Sequence, residues 1–187
     1  MGQPEAKAAG FNTSLTVARA LAGDERWRRF VAALPPDDAA LVEHPPLAMS
    51  WLPLERVIRI HNAIFRDLFD GDPAKAFELG RRQFQSDLST LYRMFIRVAS
   101  PKYVIERAAR IYETYVRNAG TMRVTDERAT SVALVVEGHP SREPLFYEYL
   151  RGSIVATLEM TRVKAPSVRI LEVGFDSGRW VYQLTWS

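Results

Sequence analysis

The hydrophobic pattern changes period at Asn118-Ala119-Gly120. Before that point apolar residues recur every three or four positions; after it they alternate. Helices bury one stripe and strands bury every second side chain, so a single switch of this kind separates a helical half from a half built on a sheet.

Upstream, Leu15, Val17, Ala18 and Leu21 predict a short helix closed by Gly23, and Trp27, Phe30, Val31 and Leu34 a second one ended by Pro35-Pro36. Asp37 is expected to cap a short turn toward Val42, and Ser50-Trp51-Leu52-Pro53 to open a long helix whose stripe includes Val57, Ile58, His61, Ile64, Phe65 and Leu68. Asp72-Pro73 reads as an N-cap followed by a first helical residue, starting a helix that turns Phe77, Gly80 and Phe84 inward. Leu88, Leu91, Tyr92, Phe95 and Val98 define the next helix, and Ser100-Pro101 repeats the cap before a stripe from Val104 to Tyr115.

Downstream, Thr121 to Glu127 and Thr130 to Glu137 read as a hairpin, and Ser141 as the cap of a helix from about Glu143 to Arg162 that buries Phe146, Leu150, Ile154 and Leu158. A second hairpin, Val168 to Phe175 and Arg179 to Trp186, turns at Asp176-Ser177-Gly178, with Trp180, Tyr182, Leu184 and Trp186 on one face. The expected class is α+β: a helical N-terminal half followed by a four-stranded antiparallel sheet of β-β-α-β-β order. One domain is expected over 1–187, with a flexible leader at 1–10, a helical half at 11–117 and the sheet half at 118–187.

Composition removes several kinds of chemistry. The chain of 187 residues has no cysteine, so disulfides, thiolate metal sites and thiol nucleophiles are excluded. Its ten glycines fall singly, without a phosphate-binding loop, and its three histidines, His44, His61 and His139, share no helical turn. No Gly-x-Ser-x-Gly elbow is present, and the pairs Asp37-Asp38 and Asp70/Asp72 stand where helix starts want caps. The net charge of +3 is spread among alternating signs, as in Glu106-Arg107, which argues against a nucleic-acid surface. No apolar run is long enough for a membrane span, and Gly2 lacks the Ser or Thr that myristoylation wants at position 6, where Ala6 stands. A cytoplasmic, non-enzymatic protein without a cofactor is expected.

Aromatics and arginines remain. Arg93 and Arg97, four apart, either clamp an anionic group or pair with nearby acids, and the second reading is favoured. His61 reads as a histidine bonded to backbone in preference to a ligand. Faces that converge between helices and sheet nominate Tyr92, Phe95, Arg97, Tyr112, Phe146, Tyr149 and Trp180 as ligand-binding residues.

The runs SWLPLERVIRIHNAIF, GDPAKAFELGRR and YRMFIRVASPKYVIERAARIYETY, with a terminal hairpin ending in Trp186, resemble an uncharacterised paralogous family expanded in myxobacteria. That family in turn resembles, distantly, the superfamily of vinyl-reductase-like domains, haem-nitric-oxide-binding domains and TRAPP subunits. The resemblance implies a hydrophobic cavity between helices and sheet and a sensory or scaffolding role. It also marks departures: Tyr147-Glu148-Tyr149-Leu150-Arg151 is not the Tyr-x-Ser-x-Arg motif that holds haem propionates, and no cysteine is available for palmitoylation or for the last hairpin. The leading expectation is a ligand-sensing or regulatory module for a small hydrophobic molecule. The alternative is an interaction or scaffold domain that homodimerises or docks a signalling partner, and a haem-dependent gas sensor using His61 is the least favoured.

Overall fold

The computed structural model describes residues 2–87, 100–161, 163–174 and 176–187. Strand β1 (Glu5–Lys7) leads into helices α1 (Ala8–Ala22), α2 (Asp24–Ala33) and α3 (Pro36–Glu43). Strand β2 (Trp51–Pro53) precedes α4 (Leu54–Ala63), which continues as a π-helical turn over Ile64–Leu68, and α5 (Pro73–Asp87) follows. Helix α6 (Pro101–Tyr115) runs into β3 (Val116–Arg117), then β4 (Thr121–Arg128) and β5 (Ser131–Glu137). Helix α7 (Pro144–Glu159) and the hairpin β6 (Ser167–Gly174) and β7 (Arg179–Thr185) complete the chain. The fold is α+β, with the second half in the expected β-β-α-β-β order.

The large sheet is antiparallel with strand order β4-β5-β7-β6. Its register sets Leu134 opposite Tyr182 and Val132 opposite Leu184, so the inner face buries Val132, Leu134, Trp180, Tyr182 and Leu184 against α7. A bulge between Ile170 and Glu172 leaves Leu171 on the outside, 60% exposed. A second core joins α1, α4, the π turn and α5 around Phe11, Ile60, Ile64 and Phe65. Phe146 on α7 packs against both cores, making that helix the partition between them.

Several expectations are corrected. The leader is not floppy over its whole length: Glu5–Lys7 pairs with Trp51–Pro53 on one side and with Val116–Arg117 on the other. Ala6 in the strand and Ala8 at the start of α1 are buried, small residues that let this segment lie on the helical core. Trp51 therefore belongs to a strand and not to the helix start; Lys7 and Arg117 stack on its ring at 4.6 Å and 4.2 Å. Asp38 is no cap. It is 1% exposed and takes both Nε and Nη2 of Arg59 at 2.7 Å, with Arg56 Nε at 3.1 Å. Asp70 pairs with Arg26 at 2.5 Å, whereas Asp72 does accept the Ala74 N–H at 2.8 Å as a cap should. Pro144 occupies the first position of α7, so its cap moves from Ser141 to Glu143, whose carboxylate accepts the Leu145 N–H.

Candidate functional site

Helices α5 and α7 approach backbone to backbone at Gly80 and Gly152. A Cβ on Gly80 would stand 1.8 Å from the Tyr149 carbonyl oxygen, and one on Gly152 would stand 2.0 Å from that of Phe77. Ser153 Oγ donates to the Gly80 carbonyl at 3.1 Å across the same crossing. This close approach brings the first turns of α7 over the end of α5. Beside it, α1, α4, α6 and the inner face of the sheet leave a cavity of about 210 Å³.

The cavity wall is mostly apolar, with Val57, Phe84, Ile105, Leu134, Leu150 and Ile154 contributed by five different elements. Its polar groups are few and largely paired. Gln83 is buried and donates to the Gly10 carbonyl at 3.0 Å, while its oxygen accepts the Tyr149 hydroxyl at 2.6 Å. Burial pushes the Asp87 carboxyl above its ordinary value, against hydrogen bonds from Thr13 and Gln83. The Tyr112 hydroxyl donates to the Ala119 carbonyl at 3.0 Å.

Two buried histidines stand in this wall. Nδ1 of His61 lies 2.9 Å from the Val57 carbonyl, one helical turn back, and Nε2 has no hydrogen-bond partner. Burial pulls this imidazole's pKa down, only partly offset by the Val57 carbonyl, so the ring is neutral. His139 follows Gly138 at the end of β5 and is stacked on Phe146 with ring centroids 4.6 Å apart. Its backbone N–H donates to the Gly178 carbonyl at 3.3 Å, and Gly178 has φ +62° with no room for a Cβ, which would meet the His139 carbonyl at 2.2 Å. Its Nδ1 accepts the Ser141 N–H at 3.1 Å, and burial, with Arg142 adding, pushes its pKa down to about 3.

Of the residues nominated from sequence, Tyr112, Phe146 and Tyr149 lie in the cavity wall. Trp180 lies behind it, 1% exposed, with its ring 5.7 Å from Phe146 and 5.1 Å from His139. Tyr92, Phe95 and Arg97, like Arg93, fall outside the described residues. His139, Gln83 and Asp87 were not nominated. Gln83 and Asp87 had a legible signal, since they continue the Ala76-Leu79-Gly80 stripe of α5 at helical spacing. His139 had none, because Gly-His-Pro reads as a turn. Among the described residues no group of three His, Asp or Glu side chains could hold a metal ion, and no helix is long and apolar enough to cross a membrane.

The sequence profile of the family described as "Protein of unknown function (DUF2378)" matches residues 42–187. No curated protein sequence matches the chain. Solved structures share its fold along nearly the whole length. One, from a study of haem distortion in the H-NOX family, superposes with a TM-score of 0.70 at 13% identity, covering 96% of this chain and 94% of that one. An Fe(II) unliganded H-NOX protein mutant from K. algicida gives 0.67 at 12% identity, with 97% and 96% covered. An oxygen-binding H-NOX domain related to soluble guanylate cyclases gives 0.65 at 14% identity, with 93% and 91% covered. Helices in the N-terminal half and a four-stranded antiparallel sheet in the other thus form an H-NOX-like fold.

Proposed function

For this chain, which belongs to the DUF2378 family of unknown function and has an H-NOX-like fold, we propose a non-enzymatic role as a sensory or regulatory module that takes a small, mainly apolar molecule into the cavity between helices and sheet. The observation that carries the reading is the cavity itself. An engineered apolar cavity of about 150 Å³ is large enough to hold benzene, and the cavity here is about 210 Å³. A single-ring molecule or a short branched chain fits it. The wall draws on α1, α4, α5, α6, α7 and the sheet, so an occupant touches both cores at once and its presence is felt by both halves.

Haem is bound by relatives of this fold, and the described residues do not fit it. The cavity is below the roughly 300 Å³ at which pockets for drug-sized ligands begin, and haem is larger than such ligands. Propionates need cations, yet the only cation in the described wall is Lys7, which is stacked on Trp51. The stretch Tyr147–Arg151 carries Glu148 and Leu150 in place of a propionate-binding pattern, and Arg151 is paired with Glu148 at 2.7 Å. The interaction-module alternative has less support, because the large exposed apolar side chains among the described residues number four: Leu47 and Met49 in one loop, Tyr103 on α6 and Leu171 on β6.

Native mass spectrometry of the protein purified without detergent tests the reading. A mass increment of a few hundred daltons or less that disappears on denaturation is expected. A bare mass, together with no uptake of toluene, would count against it.

A further inference from the structure

Five aromatic rings follow one another along the cavity wall. Centroid to centroid, His61 on α4 lies 5.5 Å from Tyr149 on α7, and Tyr149 lies 5.4 Å from Phe146. Phe146 lies 4.6 Å from His139 beyond the end of β5, and His139 lies 6.5 Å from Tyr112 on α6. All five residues border the cavity. Each step falls within the separations of about 4.5–7 Å at which aromatic rings attract one another. The series is unbroken from α4, through α7, to α6.

The two tyrosines of the series have their hydroxyls committed to protein partners, Tyr149 to Gln83 and Tyr112 to the Ala119 carbonyl, so what they add to the wall is ring. Tyr115 adds another. Gly10 has no side chain to hold it off, and a Cβ there would stand 3.3 Å from the Tyr115 ring; both residues border the cavity. Resting on the cavity reading above, we propose that the ligand class is a molecule built on a single aromatic ring, selected over a saturated hydrocarbon of similar size by the ring series of the wall. An aromatic occupant extends that series and gains the attraction between rings beyond the burial of its surface, whereas an alkane gains the burial alone.

Headspace partition of benzene, cyclohexane and n-hexane over solutions of the full chain measures the three affinities. Water expels both alkanes more strongly than benzene, so a wall that only excluded water would take the alkanes the more tightly. Benzene is expected to bind the most tightly of the three, and n-hexane is slimmer than either ring, so its weaker binding would not be a matter of fit. Phe146→Met is expected to lower the benzene-to-hexane affinity ratio about threefold. Should that variant not fold, Phe84→Met removes a different ring of the wall and takes its place. Either alkane binding as tightly as benzene, or a ratio that a folded variant leaves unchanged, overturns this inference and leaves the cavity reading standing. Binding of none of the three overturns both.

Discussion

His139 ties the stability of the fold to pH. In the unfolded chain an imidazole takes up its proton near pH 6.5, whereas the folded chain keeps His139 neutral down to about pH 3. Between those values the unfolded state binds more protons, so stability is fullest above pH 6.5 and is lost as the pH falls. One pH unit corresponds to about 1.4 kcal/mol, so His139 alone costs the fold on the order of 2 kcal/mol by pH 5. His61 acts in the same direction. The Asp38 carboxyl, held below its ordinary value by Arg59, adds its loss at lower pH, and Asp87, raised by burial, acts in the opposite sense. Urea unfolding of the parent and of His139→Phe at pH 7.5 and pH 5 isolates the effect. The parent should lose about 2 kcal/mol more than the variant over that interval; equal losses would show that His139 is not a buried neutral ring. Nothing in the sequence announced this residue, because a histidine between glycine and proline carries no periodic signal. Its burial comes from the Gly178 turn, 39 positions away, closing over it.

At the scale of elements, the glycine crossing of α5 and α7 decides how the two halves meet. The atoms a new Cβ would strike are backbone, at 1.8 Å and 2.0 Å, and a helix backbone cannot step aside as a side chain can. Gly152→Ala is therefore expected to exceed the 1–3 kcal/mol typical of overpacked cores. It should also loosen the Tyr149–Gln83 hydrogen bond at the cavity wall. Chemical denaturation measures the first effect, and a loss under about 1 kcal/mol would mean the helices do not approach so closely. This crossing was half legible. The period of α5 turned Gly80 inward, and the β-β-α-β-β order put a helix on the sheet, but no pattern said that Gly80 and Gly152 would meet. The short β1-β2-β3 sheet was missed for a related reason: three-residue and two-residue strands are too short to show alternation, and Trp51-Leu52-Pro53 ran into a helical stripe. The Ser100 cap was readable, since its hydroxyl does accept the Tyr103 N–H.

For the whole molecule, the change of period at Asn118-Ala119-Gly120 marks where the helical half meets the large sheet, and that much followed from pattern alone. The cavity between the halves did not, because a void is set by how two cores fail to close and not by any residue's periodicity. The same geometry predicts that haemin added to the purified chain gives no Soret band at stoichiometric amounts; a band abolished by His61→Ala would reverse the reading of the wall. The central claim is that the space between helices and sheet is a binding cavity. Ile154 borders it from α7 and is 7% exposed, so a larger side chain there has the void to grow into. Calorimetric titration with toluene of the parent and of Ile154→Phe tests the claim most directly. The account predicts saturable one-to-one binding by the parent, weakened at least tenfold in a folded variant; no binding by the parent, or equal binding by both, would contradict it.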